Sequence, residues 1–231
     1  MASVLSVAVL GGELVIVPDA PRWRGGILFD DAARGGLRLE SPGDRAAART
    51  LSDILGAALV AHPFLVDAGL AAWAIGGNRD VAAQMLGVDF LSMASTAFVL
   101  HFTKNLVARE RPYAQGCEDE PIEVVGCDSR DRFRSFFSGH TAYAFTGASL
   151  ICVHHANLPL FGGGAADAAA CIGAAALAST VALLRVLSDR HFLTDVLVGA
   201  LVGAASGLLI PSLLHYGASW SQADGTAPPP P

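Results

Sequence analysis

Five stretches close to the thickness of a bilayer's hydrocarbon core dominate the chain: residues 54 to 76, 81 to 103, 140 to 157, 165 to 187 and 192 to 214. A spanning helix needs about 20 mostly apolar residues, and a buried helix of a water-soluble protein seldom runs that long without a polar face. Composition agrees, because 52% of the 231 residues are apolar and only 16% are charged, against about 25% charged in soluble domains. The expected fold class is therefore all-α: an integral membrane helical bundle of five to six transmembrane helices. The sixth candidate is the opening stretch "MASVLSVAVLGGELVIVP", which is short, carries Glu13 and has no Lys or Arg before Arg22. A first span, a remnant of one and a signal-like segment all fit it.

Three regions are expected: an apolar segment and interfacial lead-in over 1–50, a membrane domain over 51–216 and a disordered tail over 217–231, ending in "TAPPPP". The lead-in suits a short amphipathic helix with solvated or headgroup-facing Arg and Asp, and Ser52 or Asp53 of "TLSD" suits a cap for the helix that follows. His62, Pro63 and Asp67 in the first run, with Asp89 and His101 in the second, suit helices packed inside a bundle. The Gly and Ala of the last two runs suit close helix contact. The net charge of −6 comes with no interleaved basic and aromatic patch, which argues against nucleic acid as a partner. The bilayer is the expected partner; oligomeric state is not legible.

Polar chemistry gathers in two places, the loop 104 to 137 and the stretch "RVLSDRHFLTD", 185 to 195. If the runs alternate across the bilayer, both lie at one membrane face. An inserted Arg or Asp costs about 2.5 to 3.5 kcal/mol at a helix centre, so these groups must pair, sit at the interface or bind something. His191 and Asp195 are four apart, so on a helix the carboxylate can fix one ring nitrogen as donor and free the other as a nucleophile. A structural histidine held by an acid fits that spacing as well. Lys104 and Arg111 are two helical turns apart, and Ser138, Gly139 and His140 open the third run, where free N–H groups favour an anion. Together they describe a phosphate cage.

As a spaced set, "KNLVARERP", "SGH" and "RVLSDRHFLTD" resemble the three signature motifs of the type 2 phosphatidic acid phosphatase and vanadium haloperoxidase superfamily, in its membrane, bacterial lipid-phosphatase branch. The resemblance implies His191 as nucleophile, Asp195 orienting it and His140 as general acid. Lys104, Arg111, Ser138, Gly139 and Arg185 would bind phosphate. No metal or cofactor is called for. Two positions depart from the family pattern: Phe137 stands where Pro is usual before SGH, and Leu184 where Ser is usual before the third-motif Arg. The implied activity is hydrolysis of a lipid phosphate or diphosphate such as phosphatidic acid, phosphatidylglycerol phosphate or an isoprenoid diphosphate. A vanadate-dependent haloperoxidase and a non-catalytic anion- or lipid-binding membrane protein are the competing readings.

Outside the motifs, Arg109, Asp189 and Arg190 read as interfacial charges or turn residues. His154 and His155 are adjacent and so cannot face the same way on a helix; an interfacial location suits them better than a metal site. Cys152 and Cys171 read as small core residues. A disulfide between Cys117 and Cys127 would staple the long loop and require an oxidising compartment, free thiols being the alternative. Nearly all Lys and Arg fall on the site's side of the membrane, which the positive-inside rule would place in the cytoplasm. The resemblance to bacterial members with outward-facing sites points the other way, and an extracytoplasmic site in a bacterial cell membrane is the expectation adopted.

Overall fold

The computed structural model describes residues 18–117 and 127–217. The opening apolar segment and the tail, on which two of the expectations above fall, lie outside the described residues. Within them the chain is helical, with no strand beyond an isolated bridge between Trp23 and Arg109. A short helix α1 (Asp30–Leu37) precedes α2 (Pro42–His62), which continues as a π-helical stretch over Pro63–Ile75. Then come α3 (Arg79–Val107), α4 (Gly139–Asn157), α5 (Ala165–Leu187) and α6 (Leu193–Pro211), the last extended by a π-helical turn over Ser212–Tyr216.

Local chemistry explains these boundaries. Ser41 caps α2 by accepting from the Asp44 N–H at 3.4 Å, with Pro42 in the first turn, where its missing N–H costs nothing. The "TLSD" expectation is thereby corrected: α2 begins well before Ser52, whose side chain and that of Asp53 turn inward to Arg185 instead. Asn78 caps α3 through the Val81 N–H, and Ser138 caps α4 through that of Thr141. Pro63 cannot donate to the preceding turn, and the wider winding starts there.

Four helical stretches are long and apolar enough to cross a membrane: Pro42–Ile75, Arg79–Val107, Ala165–Leu187 and Leu193–Tyr216. All four point large apolar side chains outward, among them Leu70, Phe102, Ile172 and Leu201, whereas α4 exposes none. α4 is the central helix, packed on α2, α3, α5 and α6. It carries polar residues because it faces protein, not lipid: its buried Thr146 hydroxyl meets that of Thr96 on α3 at 2.9 Å.

The tightest seam joins α4 to α6. Gly199, Gly203 and Gly207 form one stripe at four-residue steps, and a Cβ on each would strike the backbone carbonyl of Ser138, Ala142 and Thr146 respectively. Small residues let helix backbones approach this closely in lipid. On the other flank Gly147 of α4 meets the Leu59 carbonyl of α2 in the same way. The structure also links Cys117 to Cys127 and Cys152 to Cys171 by disulfides. Cys152 and Cys171, read from sequence as small core residues, are thus joined to each other, brought together by the helical neighbours α4 and α5.

Candidate active site

The site is assembled where α3 ends, α4 begins and α5 turns into α6. After Val107 the backbone of Ala108 adopts a left-handed conformation, φ 47°, and its N–H caps the Lys104 carbonyl at 3.0 Å. This stops α3 and sends the chain back across the bundle end. Lys104 stays buried in the last turn, its Nζ 3.6 Å from the position a Cβ on Gly139 would take. Lys104 thus lies at the N-terminus of α4, whose backbone N–H groups also favour an anion.

Arg111 is the hub of the pocket. Its Nη1 donates to His191 Nε2 at 2.9 Å and to the Arg190 carbonyl at 3.0 Å, its Nε donates to the Asp131 carbonyl at 3.0 Å, and its Nη2 pairs with the Asp131 carboxylate at 2.8 Å. A guanidinium can only donate, so Nε2 of His191 accepts and the ring proton sits on Nδ1. That nitrogen lies 3.5 Å from Asp195 Oδ2 and has no hydrogen-bond partner among the described residues. Burial, then the charges of Arg111, Lys104 and Arg185, push the His191 pKa well below the usual imidazole value, so the ring is neutral at pH 7. Burial alone would raise Asp131, but the charges of Arg111 and Lys104 outweigh it and hold that carboxyl below its ordinary value.

Asp195 is held by others. Its Oδ2 accepts from the Ser135 hydroxyl at 2.5 Å and from the Phe192 N–H at 3.0 Å, and its Oδ1 pairs with Arg109 at 2.7 Å. The Ser138 N–H donates to the Asp195 carbonyl at 3.0 Å, tying the start of α4 to the start of α6. The Ser138 hydroxyl accepts from Thr141 Oγ1 at 3.0 Å, which leaves its own proton to donate.

His140 and Arg185 meet through Asp53. Asp53 Oδ1 is 3.0 Å from His140 Nε2 and 2.8 Å from Arg185 Nη1, which also donates to Ser52 Oγ at 2.8 Å. A cavity of about 280 Å³ is lined here by Asp53, Arg111, Asp131, His140 and Arg185, with Arg49, Tyr113, Ser129 and Arg190 at its walls. His191 is buried and reaches this space through Arg111. Two carboxylates therefore occupy two of the cage cations: Asp53 on Arg185 and Asp131 on Arg111.

Arg109, read from sequence as an interfacial charge, is fully buried. It pairs with Asp195 and, at 2.8 Å, with Asp30, donates to Thr194 Oγ1 and the Gly25 carbonyl, and lies over the rings of Trp23 and Phe192 at 4.2 and 4.0 Å. Asp30, buried in α1, is not a headgroup-facing charge either: the Arg109, Ile27 and Thr194 hydrogen bonds outweigh burial and keep its pKa low. Asp189 is likewise more than a turn residue. Buried with φ 58°, it takes Arg34 at 2.7 Å and Arg38 at 3.1 Å and so clamps α1 over the turn between α5 and α6. Arg190 stacks its guanidinium 4.6 Å from the centre of the Tyr113 ring.

With this arrangement in view, the comparisons with known proteins fall into place. The chain belongs to the PAP2 superfamily, whose family model matches residues 88–218, a span that includes Lys104, Arg111, His140, Arg185, His191 and Asp195. It is 31% identical to the "Probable diacylglycerol pyrophosphate phosphatase 1" of Schizosaccharomyces pombe, over 58% of this chain and 56% of that protein. The chain thus matches a little over half the length of that relative. No solved structure matches the chain.

Proposed function

We propose that this protein is a membrane phosphatase that hydrolyses a lipid phosphate or diphosphate through a phosphohistidine on His191, with no metal in the chemistry. The observation that carries the reading is the tautomer and setting of His191: a neutral ring whose Nε2 lone pair is turned to Arg111, beside Lys104 and Arg185. A substrate phosphate would take over the Arg111 and Arg185 donors from Asp131 and Asp53. His191 Nε2 then attacks phosphorus, the P–O bond to the leaving group breaks, and His140, which takes up a proton alongside the incoming phosphate anion, gives that proton to the leaving oxygen. Lys104, the Ser138 hydroxyl and the Gly139 N–H complete the stabilisation of the equatorial oxygens. Asp195 orients the His191 ring and offsets the charge it gains; such hydrogen bonds commonly tighten only in the reacting complex. In the second half, water attacks the phosphohistidine with His140 accepting its proton, and inorganic phosphate leaves.

A lipid substrate is supported by the apolar exterior of the bundle below the cavity and by the diacylglycerol pyrophosphate named for the relative. The proposed location is a bacterial cell membrane with the site on the extracytoplasmic face. The Cys117–Cys127 bond beside the site supports it, because such bonds persist in oxidising compartments. Phosphate release from short-chain phosphatidic acid, diacylglycerol pyrophosphate and an isoprenoid diphosphate, measured with chelator present, tests the activity. Brief reaction with radiolabelled substrate should trap an acid-labile label on the protein that His191→Ala abolishes. Full turnover in that variant would overturn the assignment, and His140→Ala should cost about 10²- to 10⁴-fold in rate.

A further inference from the structure

At the bundle end away from the cage, histidines and carboxylates from four helices, α2 with its π-helical extension, α3, α4 and α5, converge beneath the loop between α4 and α5. His154 and His155 are both buried, not interfacial. His154 meets Asp89 at 2.6 Å through Nε2 and Tyr216 at 2.9 Å through Nδ1, so both its nitrogens are used. His155 points elsewhere, to Asp167 through Nδ1 and to Asp67 through Nε2 at 3.3 Å. His62 Nε2 stands 3.1 Å from the same Asp67 oxygen without hydrogen-bond geometry.

We propose that His62, Asp67 and His155 form a binding site for a first-row divalent cation of the zinc type. Proton placement is the first argument. The Asp167 carboxylate accepts backbone N–H groups of Phe161 at 3.1 Å and Gly163 at 2.5 Å, which identifies it as an ionised acceptor. His155 Nδ1 therefore carries the proton toward it, and the Nε2 lone pair faces the lone pairs of Asp67 Oδ1. The 3.3 Å contact is satisfied either by a proton shared between His155 Nε2 and Asp67 Oδ1 or by a cation bound between them. Asp67 Oδ2 is buried with no partner among the described residues, and an unmatched buried carboxylate oxygen is costly. His62 Nε2, 3.1 Å from the same Asp67 oxygen, is a third donor atom within reach of a shared ion.

Geometry is the second argument. The three donor atoms lie within 4.8 Å of one another. Zinc bonds of about 2.0–2.1 Å in a tetrahedron put neighbouring donor atoms about 3.3 Å apart, close to the 3.1 and 3.3 Å found here. Backbone winding is the third. Residues five apart on an α-helix point about 140° away from each other, but the π-helical winding from Pro63 brings His62 and Asp67 onto one side. Asp167 supplies the carboxylate that orients a metal-bound imidazole, and the Phe161 ring packs edge-on to His155 at 4.5 Å. His62, about a third exposed, gives the ion a way in. Two imidazoles and one carboxylate with a fourth position open is a zinc-type donor set. The bound ion would tie α2 to α4 and, through Asp167, to α5.

The proposal is independent of the phosphatase reading, since its readout is bound metal. Full-length protein in detergent, stripped by chelator, exposed to Zn²⁺ and freed of excess, should retain about one equivalent. Co²⁺ in its place should give the visible bands of a four- or five-coordinate ion. His62→Asn and Asp67→Asn should each abolish stoichiometric retention, Asp167→Asn should weaken affinity about 10- to 100-fold, and His191→Ala should retain the metal. Substoichiometric zinc on the unaltered protein, or retention unchanged in His62→Asn and Asp67→Asn, overturns the proposal. So does nitrogen NMR showing a doubly protonated His155 at saturating Zn²⁺.

Discussion

Replacing Arg109 by Met would remove a cation that serves two buried carboxylates. Asp30 and Asp195 are both fully buried and each lies within 2.8 Å of the guanidinium. Leaving one buried charge without its partner costs about 3–5 kcal/mol. Two such losses within one network do not add, so the expected penalty is about 4–5 kcal/mol, a large share of a typical total of about 5–15 kcal/mol. For a chain of this length about 1 kcal/mol moves the melting temperature by about 2–4 °C. Thermal unfolding of the detergent-solubilised variant should therefore fall by about 8–20 °C. Turnover should fall as well, because Asp195 loses one of the contacts that fix it beside His191, keeping those from Ser135 and the Phe192 N–H. Arg109→Lys should recover little, since an ammonium cannot reproduce the planar fork that reaches both carboxylates while stacked on Trp23 and Phe192. Adding Asp30→Asn to Arg109→Met should restore about 0.5–3 kcal/mol by removing one unmatched charge. A shift of less than about 3 °C with turnover intact would refute the reasoning, and so would a double variant no more stable than Arg109→Met.

Three further outcomes are expected. Because burial and the cage cations depress His191, its neutral form persists below the ordinary imidazole range, so the acid limb that this group sets in kcat/KM should lie well below pH 6.5. Arg111→Gln should raise its pKa and move the acid limb to higher pH, read from pH profiles of both proteins. The same depression means that the native state binds fewer protons there than the unfolded chain, so His191's contribution to stability is complete above its unfolded pKa and is lost as pH falls below it. Asp53→Asn should strengthen inhibition by inorganic phosphate, because Arg185 and His140 no longer face a competing carboxylate; inhibition constants check it. Gly203→Leu should destabilise by at least about 1–3 kcal/mol, as overpacking does, since the obstructing atom is the Ala142 carbonyl and not a movable side chain; loss of the monodisperse species on size-exclusion chromatography reports it.

Much of the frame was legible because the signals are local. Apolar runs mark α2, α3, α5 and α6, and the spacing of Lys104 to Arg111, of Ser138 to His140 and of Arg185 to Asp195 depends only on neighbours in sequence. What escaped were residues whose meaning comes from distant partners. Asp53 meets Arg185 across 132 positions, and Arg109 meets Asp30 across 79; no periodicity announces either contact. Ser135, the donor to Asp195, sits in the long loop with nothing to set it apart. His154 and His155 misled for a related reason. Their adjacency rules out a shared target but not two different ones, and each found its carboxylate on another helix. One signal was available for Arg109: an Arg two residues before the motif Arg, beyond the end of a spanning run, must either reach water or find buried acids.

The glycine stripe on α6 also works as a ruler. His140 rides on α4 and His191 just ahead of α6, so the distance between them depends on how these two helices are set along their length. In the present setting a Cβ at Gly199, Gly203 or Gly207 would meet the α4 backbone, so a setting that put larger residues at these contacts would force the two helices apart. The nearest alternative setting that still places glycines in contact is a slip of one turn, about 5.4 Å. Such a slip would break the Ser138 N–H to Asp195 carbonyl bond and carry the two histidines out of reach of a common phosphorus atom. Three absent side chains deep in the bundle thereby set the spacing of two side chains at its end.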